Sequence, residues 1–262
     1  GQIKEEFFRT LQEDPAFRNL SSQEKVRLYR DNGAVMGAGV TFGAGAVIVA
    51  RFIEVGNATS IGERTFIKAE RFRIGKMGVV GAKGDFVTRS IWIGDAFFSG
   101  NPIVWGGGGA FGKHSEFRCG DNCLVSSQCI INTSERVLLG YEVGLSPRVQ
   151  IYTHSHWQDV FDGYSSSFGP VTIGDHSYLT GNAMIVPGVT VGQGCTVLAN
   201  SVVTSNIDDR CVVAGVPAVV VRRIEGNLSI EKKDRIMQRL LPELRELLAD
   251  QKQDPDGFLY RA

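Results

Sequence analysis

The chain has 262 residues, with 28 lysines and arginines against 28 aspartates and glutamates and a formal net charge of zero. That balance argues against bulk electrostatic attraction to nucleic acid or to an anionic membrane surface. Apolar residues make up 43% but never form the run of about 18 that a membrane-spanning helix needs. No charged leader followed by an apolar stretch opens the sequence, so no secretory signal is visible. Gly1 in place of Met leaves a removed leader open, and the cytoplasmic location expected here rests on the unpaired cysteines.

Residues 1–33 carry a helical rhythm, with Phe7, Phe8 and Leu11 before Pro15 and then Val26, Leu28 and Tyr29. Two short helices broken near Asp14–Pro15 are predicted, with Ser21 or Ser22 capping the second. Their apolar face needs a partner, and the first coil of the domain that follows would supply one.

Residues 34–224 beat with a period of six. Over 171–203 an apolar residue recurs at Ile173, Leu179, Ile185, Val191, Val197 and Val203. Ser177, Ala183, Val189, Cys195 and Ser201 follow four places behind the first five. Neither a helix nor a plain strand has that period. It predicts a solenoid with flat faces one hexapeptide wide, three hexapeptides closing a coil. Upstream the beat slips by single residues after Ile48 and after Ile67, which predicts bulges or loose corners. The 32 glycines are expected at tight corners between short strands. Of the five cysteines, Cys123, Cys129 and Cys195 are read as small buried filler in a reducing compartment, not as metal ligands.

Two segments leave the beat. The stretch near 100–117 contains Gly106–Gly109, flanked by Trp105, Phe111 and His114. It is a surface loop or a loop closing beside a ligand. The stretch 156–170, after Ile151-Tyr152-Thr153-His154-Ser155, is too polar for a wall strand and is expected to be an external loop. Ser155 would be the inward small residue there, leaving His154 and His156 outside it. Residues 225–262 are expected to form a C-terminal helix, with a stripe at Ile236, Leu240, Leu244 and Leu247 or Leu248, followed by a tail.

The isoleucine-glycine-aspartate hexads, the string NAMIVPGVTVGQGCTVLANSVVTSNI and the closing VVAGVPAVVVRRI resemble the hexapeptide-repeat acyltransferases. Within them the chain is most similar to the galactoside, maltose and polysaccharide O-acetyltransferases. The resemblance is strongest over 119–224 and implies an all-β, left-handed parallel β-helix. It also implies a homotrimer with its sites between neighbouring subunits, and acetyl-CoA or another acyl-CoA as the donor. One histidine acts as general base in that family. The matching stretch is Tyr152–Trp157, and the pattern favours His156, with His154 as the alternative. The NIDDRC corner departs from the family by carrying Asp208 where proline is usual.

Histidine suits the chemistry, because acyl transfer from a thioester needs a base that is neutral near pH 7 beside the attacking atom. Asp95, Glu116, Glu142 and Asp159 are candidates to orient it. Donor binding is expected along Gly181, Ala199 and Ser201, where small residues permit close approach. Arg222 and Arg223 would meet the coenzyme phosphates or simply close a solvated last turn. Acceptor binding is expected from Asp95, Asn101, Trp105, Trp157, Phe161 and Tyr164, with aromatic rings stacking on a sugar or packing at a subunit interface. His114, His154, His156 and His176 lack the spacing of a zinc site, so no catalytic metal is expected. Transfer to a hydroxyl of a saccharide or small natural product is the first expectation. Transfer to an amino sugar or its nucleotide, or a noncatalytic trimeric scaffold, is the alternative.

Overall fold

The computed structural model describes residues 1–106, 111–155, 159–164 and 166–224, together with residues 231, 234, 235, 237–242 and 246. It divides into two compact units, Gly1–Ile224 and Glu225–Ala262. In the second unit the described residues are helical. The predicted stripe lies mostly outside them, since only Leu240 is described. Among the described residues no helix is long and apolar enough to cross a membrane.

The first unit is a parallel β-helix. Short strands stack into three sheets, one per face, of eight, ten and eight strands. Every third strand joins the same sheet, as the six-residue beat requires. In each coil the first corner joins the first face to the second, the second corner joins the second face to the third, and the third corner carries the chain to the first face of the next coil. Ile173, Leu179, Ile185, Val191, Val197 and Val203 all point into the core, as do Ser177, Ala183, Val189, Cys195 and Ser201. All five cysteines are buried and free, and burial pushes the Cys129 thiol up to about 11. The second face ends in an antiparallel hairpin of Cys211–Gly215 and Ala218–Arg223.

Helices α1 (Glu5–Glu13) and α2 (Ser22–Asp31) close the first coil. Ser21 caps α2 through a reciprocal capping box with Glu24, which satisfies amide groups that a helix start leaves open. An open strand edge is a template for unwanted pairing, and α2 covers it on all three faces. Arg30 Nε donates to the Met36 carbonyl at 3.1 Å, and Ser22 Oγ accepts from the Phe42 amide at 2.9 Å. Tyr29 Oη donates to the Ile48 carbonyl at 2.8 Å and accepts from the Ile48 amide at 2.9 Å. The Tyr29 ring lies edge-on to Phe7 and Phe17 and stacks on Phe42.

Glycine does a different job at the corners from the one expected. The left-handed corner positions are mostly not glycine: Ala58, Met77, Ala96, Asn122, Glu142, His176 and Arg210 all have φ between 51° and 63°. Each is held there by its amide, which donates to the carbonyl of the previous coil, as Met77 does to Asn57 at 2.8 Å. The glycines sit two residues earlier. A Cβ at Gly75, Gly94, Gly140 or Gly192 would overlap Oδ1 of Asp95, Asp121, Asp175 or Asp209 in the next coil. The same four oxygens accept from the amides of Lys76, Asp95, Tyr141 and Gln193. The glycine-aspartate pair is therefore an interlock between coils. Gly75→Ala is expected to cost about 1–3 kcal/mol by overpacking. Met77→Gly, two residues away, should be neutral or slightly stabilising, because it relieves a left-handed residue. Calorimetric midpoints of the two variants check the contrast.

Candidate active site

The third corner is where the coils differ in length. Register advances by 19 residues where Arg71 pairs with Ser90, by 26 from Ser90 to Glu116, by 20 from Phe117 to Val137 and by 34 from Val137 to Val171. The single-residue slips are thus loose corners and not bulges, and they fall at the same corner as both large excursions. Three consecutive coils leave the wall there, at Gly106, at Asn132 and at Tyr152. The two interruptions seen separately in the sequence are stacked on one edge, with Asn132-Thr133-Ser134 between them.

Asn132, nine-tenths buried, joins them. Its Nδ2 donates to the Gly106 carbonyl at 3.1 Å. Its Oδ1 lies 2.8 Å from Thr153 Oγ1, 2.9 Å from His154 Nδ1 and 3.3 Å from the Ser134 amide. A carbonyl can only accept and an amide N–H can only donate, so backbone groups on both sides fix which way the side chain points. His154 Nδ1 faces an acceptor and must carry the proton. Nε2 is then the unprotonated nitrogen of the neutral ring. Ser134 Oγ sits 3.1 Å from the same Nδ1. Thr153 Oγ1 also accepts from the Glu135 amide at 3.0 Å.

The ring is fixed on its other side as well. His154–Ser155 pairs antiparallel with Ser167–Phe168, and the Phe168 ring stacks on His154 with centroids 5.8 Å apart. The Gly169 amide donates to the Thr153 carbonyl at 3.0 Å, closing the base of the loop. Thr153 is the fully buried residue here and Ser155 is only half-buried, because the chain leaves the hexad one step earlier than its beat suggests.

The structure redistributes the other expected site residues. Trp105 belongs to the core, 1% exposed and packed on Phe86, Phe97 and Phe117, so it cannot meet an acceptor. Ser201 is fully buried, with Oγ accepting from the Gly215 amide at 3.2 Å, so it cannot line a donor groove. Asp95 is an interlock residue at the first corner, Glu116 accepts from Arg118 and Glu142 pairs with His176. None of these three orients His154. Asp159 is likewise not among the partners of His154. Asn101 lies at the second corner, where its amide donates to Ser127 Oγ. Gly181 and Ala199 stack at that second corner in consecutive coils, the Asn200 amide donating to the Gly181 carbonyl at 3.0 Å. Arg222 and Arg223 lie exposed on the terminal hairpin, and Arg223 pairs with Asp208 at 3.1 Å. Phe161, 96% exposed, and Tyr164 remain on the histidine loop, whereas His156 and Trp157 lie outside the described residues. Asn132 and Ser134 were missed, although a polar NTS run straight after the inward Ile131 marks them. The tautomer is directly measurable: above pH 8, nitrogen NMR of His154 should show a protonated Nδ1 and a bare Nε2, and Asn132→Leu should remove that preference.

A model of the hexapeptide repeat of succinyl-transferase matches residues 170–205. The Saccharomyces cerevisiae protein named "Putative acetyltransferase YJL218W" is 36% identical over 113 residues, 42% of this chain and 57% of that protein. A Staphylococcus aureus (strain Mu50) protein of like description, SAV2555, is 32% identical over 117 residues, 44% of this chain and 58% of its own. The chain thus spans little more than half the length of the curated relatives it matches. Among solved structures, a maltose O-acetyltransferase from Clostridium difficile 630 is 30% identical. That likeness covers 52% of this chain and 70% of the other, at a TM-score of 0.46. On its repeat and these sequence likenesses, the chain belongs to the hexapeptide-repeat acetyltransferase family.

Proposed function

We propose that the protein transfers an acetyl group from acetyl-CoA to a hydroxyl of a saccharide or small natural product, with a histidine of the Thr153–His156 segment as general base. The observation that carries this reading is the Asn132–His154 hydrogen bond. It puts the ring proton on Nδ1, so that in the neutral ring Nε2 is the nitrogen that takes the acceptor's proton, the arrangement a general base needs. His156 stands two residues on and is the histidine that the family resemblance favours. The donor would lie along the second corner at Gly181 and Ala199. There the nearest atom to a Cβ added at Gly181 is a carbonyl oxygen at 3.5 Å, so a pantetheine chain could approach closely. Its phosphates would meet Arg222 or Arg223. A homotrimer, bringing the third corner of one subunit against the second corner of its neighbour, would complete the site.

Removing the base should lower kcat by about a hundredfold or more with the fold intact. If His154 is the base, His154→Ala and Asn132→Leu both lose turnover, and the Asn132 variant also changes the pH profile. If His156 is the base, only His156→Ala does. Acceptor-dependent release of coenzyme A that persists in both histidine variants would reject histidine catalysis. Product identification as an ester rather than an amide would establish hydroxyl transfer.

A further inference from the structure

Along the third corner, one to four coils before His154, lies a cleft of about 270 Å³. Its lining includes four cationic side chains, Arg71, Arg89, Lys113 and Arg136, and two carboxylates, Glu70 and Glu116. Glu70 and Arg136 are 66 positions apart, and only the stacking of the coils brings them together. Both carboxylates are already engaged. Glu70 accepts from Arg89 Nε at 2.8 Å and Glu116 from Arg118 Nη2 at 2.8 Å. The Arg89 guanidinium beside Glu70 also holds that carboxyl below the usual range. Arg89 Nη1 donates to the Lys113 carbonyl at 3.0 Å, pinning the end of the glycine-loop excursion at the cleft. Arg71 lies over the Phe52 ring at 4.3 Å, a contact that leaves its edge N–H groups free. Among the described residues, Arg71, Lys113 and Arg136 form no close ion pair, and Arg71 acts on Glu70 only as a nearby charge.

We infer that this cleft binds a phosphoryl group on the acceptor, so that the substrate is a phosphorylated saccharide; the inference rests on the acetyltransferase reading of the same edge. The charge count selects the ligand class. With Glu70 taken up by Arg89 and Glu116 by Arg118, Arg71, Lys113 and Arg136 remain as positive charges, which a phosphate monoester near pH 7 offsets better than a monovalent carboxylate does. Guanidinium forks suit phosphoryl oxygens geometrically. Arg136 is two residues past Ser134, whose hydroxyl touches His154, so a sugar anchored by its phosphoryl group would extend toward the imidazole.

The test uses the full chain, glucose 1-phosphate as probe and glucose as its uncharged control. Calorimetric titration should show binding of glucose 1-phosphate only. Arg71→Gln/Arg136→Gln should weaken it at least about tenfold with the melting midpoint and acetyl-CoA affinity unchanged, and Lys113→Gln should act in the same direction. Equal binding by wild type and both variants would overturn the inference. So would weakened acetyl-CoA affinity with acetyl-pantetheine affinity retained, since the cleft would then serve the donor's phosphates. Loss of phosphate binding in the variants supports the site even if no acceptor yields free coenzyme A, an outcome that counts against the transferase reading alone.

Discussion

Parallel register is the constraint on which this molecule depends. Each wall strand inside a sheet is hydrogen-bonded to one neighbour above and one below, so a residue added within a strand would turn its inward set outward. Extra chain can leave only at a corner. The first corner is closed to it by the glycine-aspartate interlock, where each carboxylate fills the space above a glycine and binds the next amide. The third corner carries no such clamp. It absorbs single residues in the early coils and whole loops in the later ones, so both large excursions leave the wall on one edge.

That edge explains why the polar groups there can be buried at all. A buried amide costs free energy unless its donors and acceptors are matched, and Asn132 is matched by backbone from the coil before it and by Thr153 and His154 from the coil after it. The side chain thereby transmits the position of the glycine excursion to the imidazole. An amide oxygen brings no charge of its own, so it selects a tautomer without supplying a counterion. Removing Asn132 would take this partner from the Gly106 carbonyl and from the donors of Ser134, Thr153 and His154 together.

The repeat was legible because its signal is local: inward residues recur at a fixed six-residue spacing, and all of those counted over 173–203 are buried. The α2 cap was legible for the same reason, since Ser21 and Glu24 are three residues apart. What escaped were contacts between coils, whose sequence separation changes with every excursion. Gly75 meets Asp95 at a separation of 20 and Gly94 meets Asp121 at 27, so no single period connects them. Asp95 therefore looked like a free carboxylate. Trp105 looked like a loop aromatic because glycines follow it, yet it occupies the inward place of a third-face strand that pairs with Ile130–Ile131.

The same stacking gives the third corner a length scale. Coils repeat at about 4.8 Å, the spacing of paired strands. Arg89 closes the third coil, Arg136 the fifth, and His154 belongs to the sixth. A group held between Arg89 and Arg136 would sit roughly 10 Å from the imidazole along the axis, a distance one sugar residue can bridge with a phosphoryl group at one end and a hydroxyl at the other. Neutral sugars would lack that anchor. A charged anchor fixed in the wall offers a rigid reference that an exposed ring such as Phe161 does not, and it would place one hydroxyl rather than several beside Nε2.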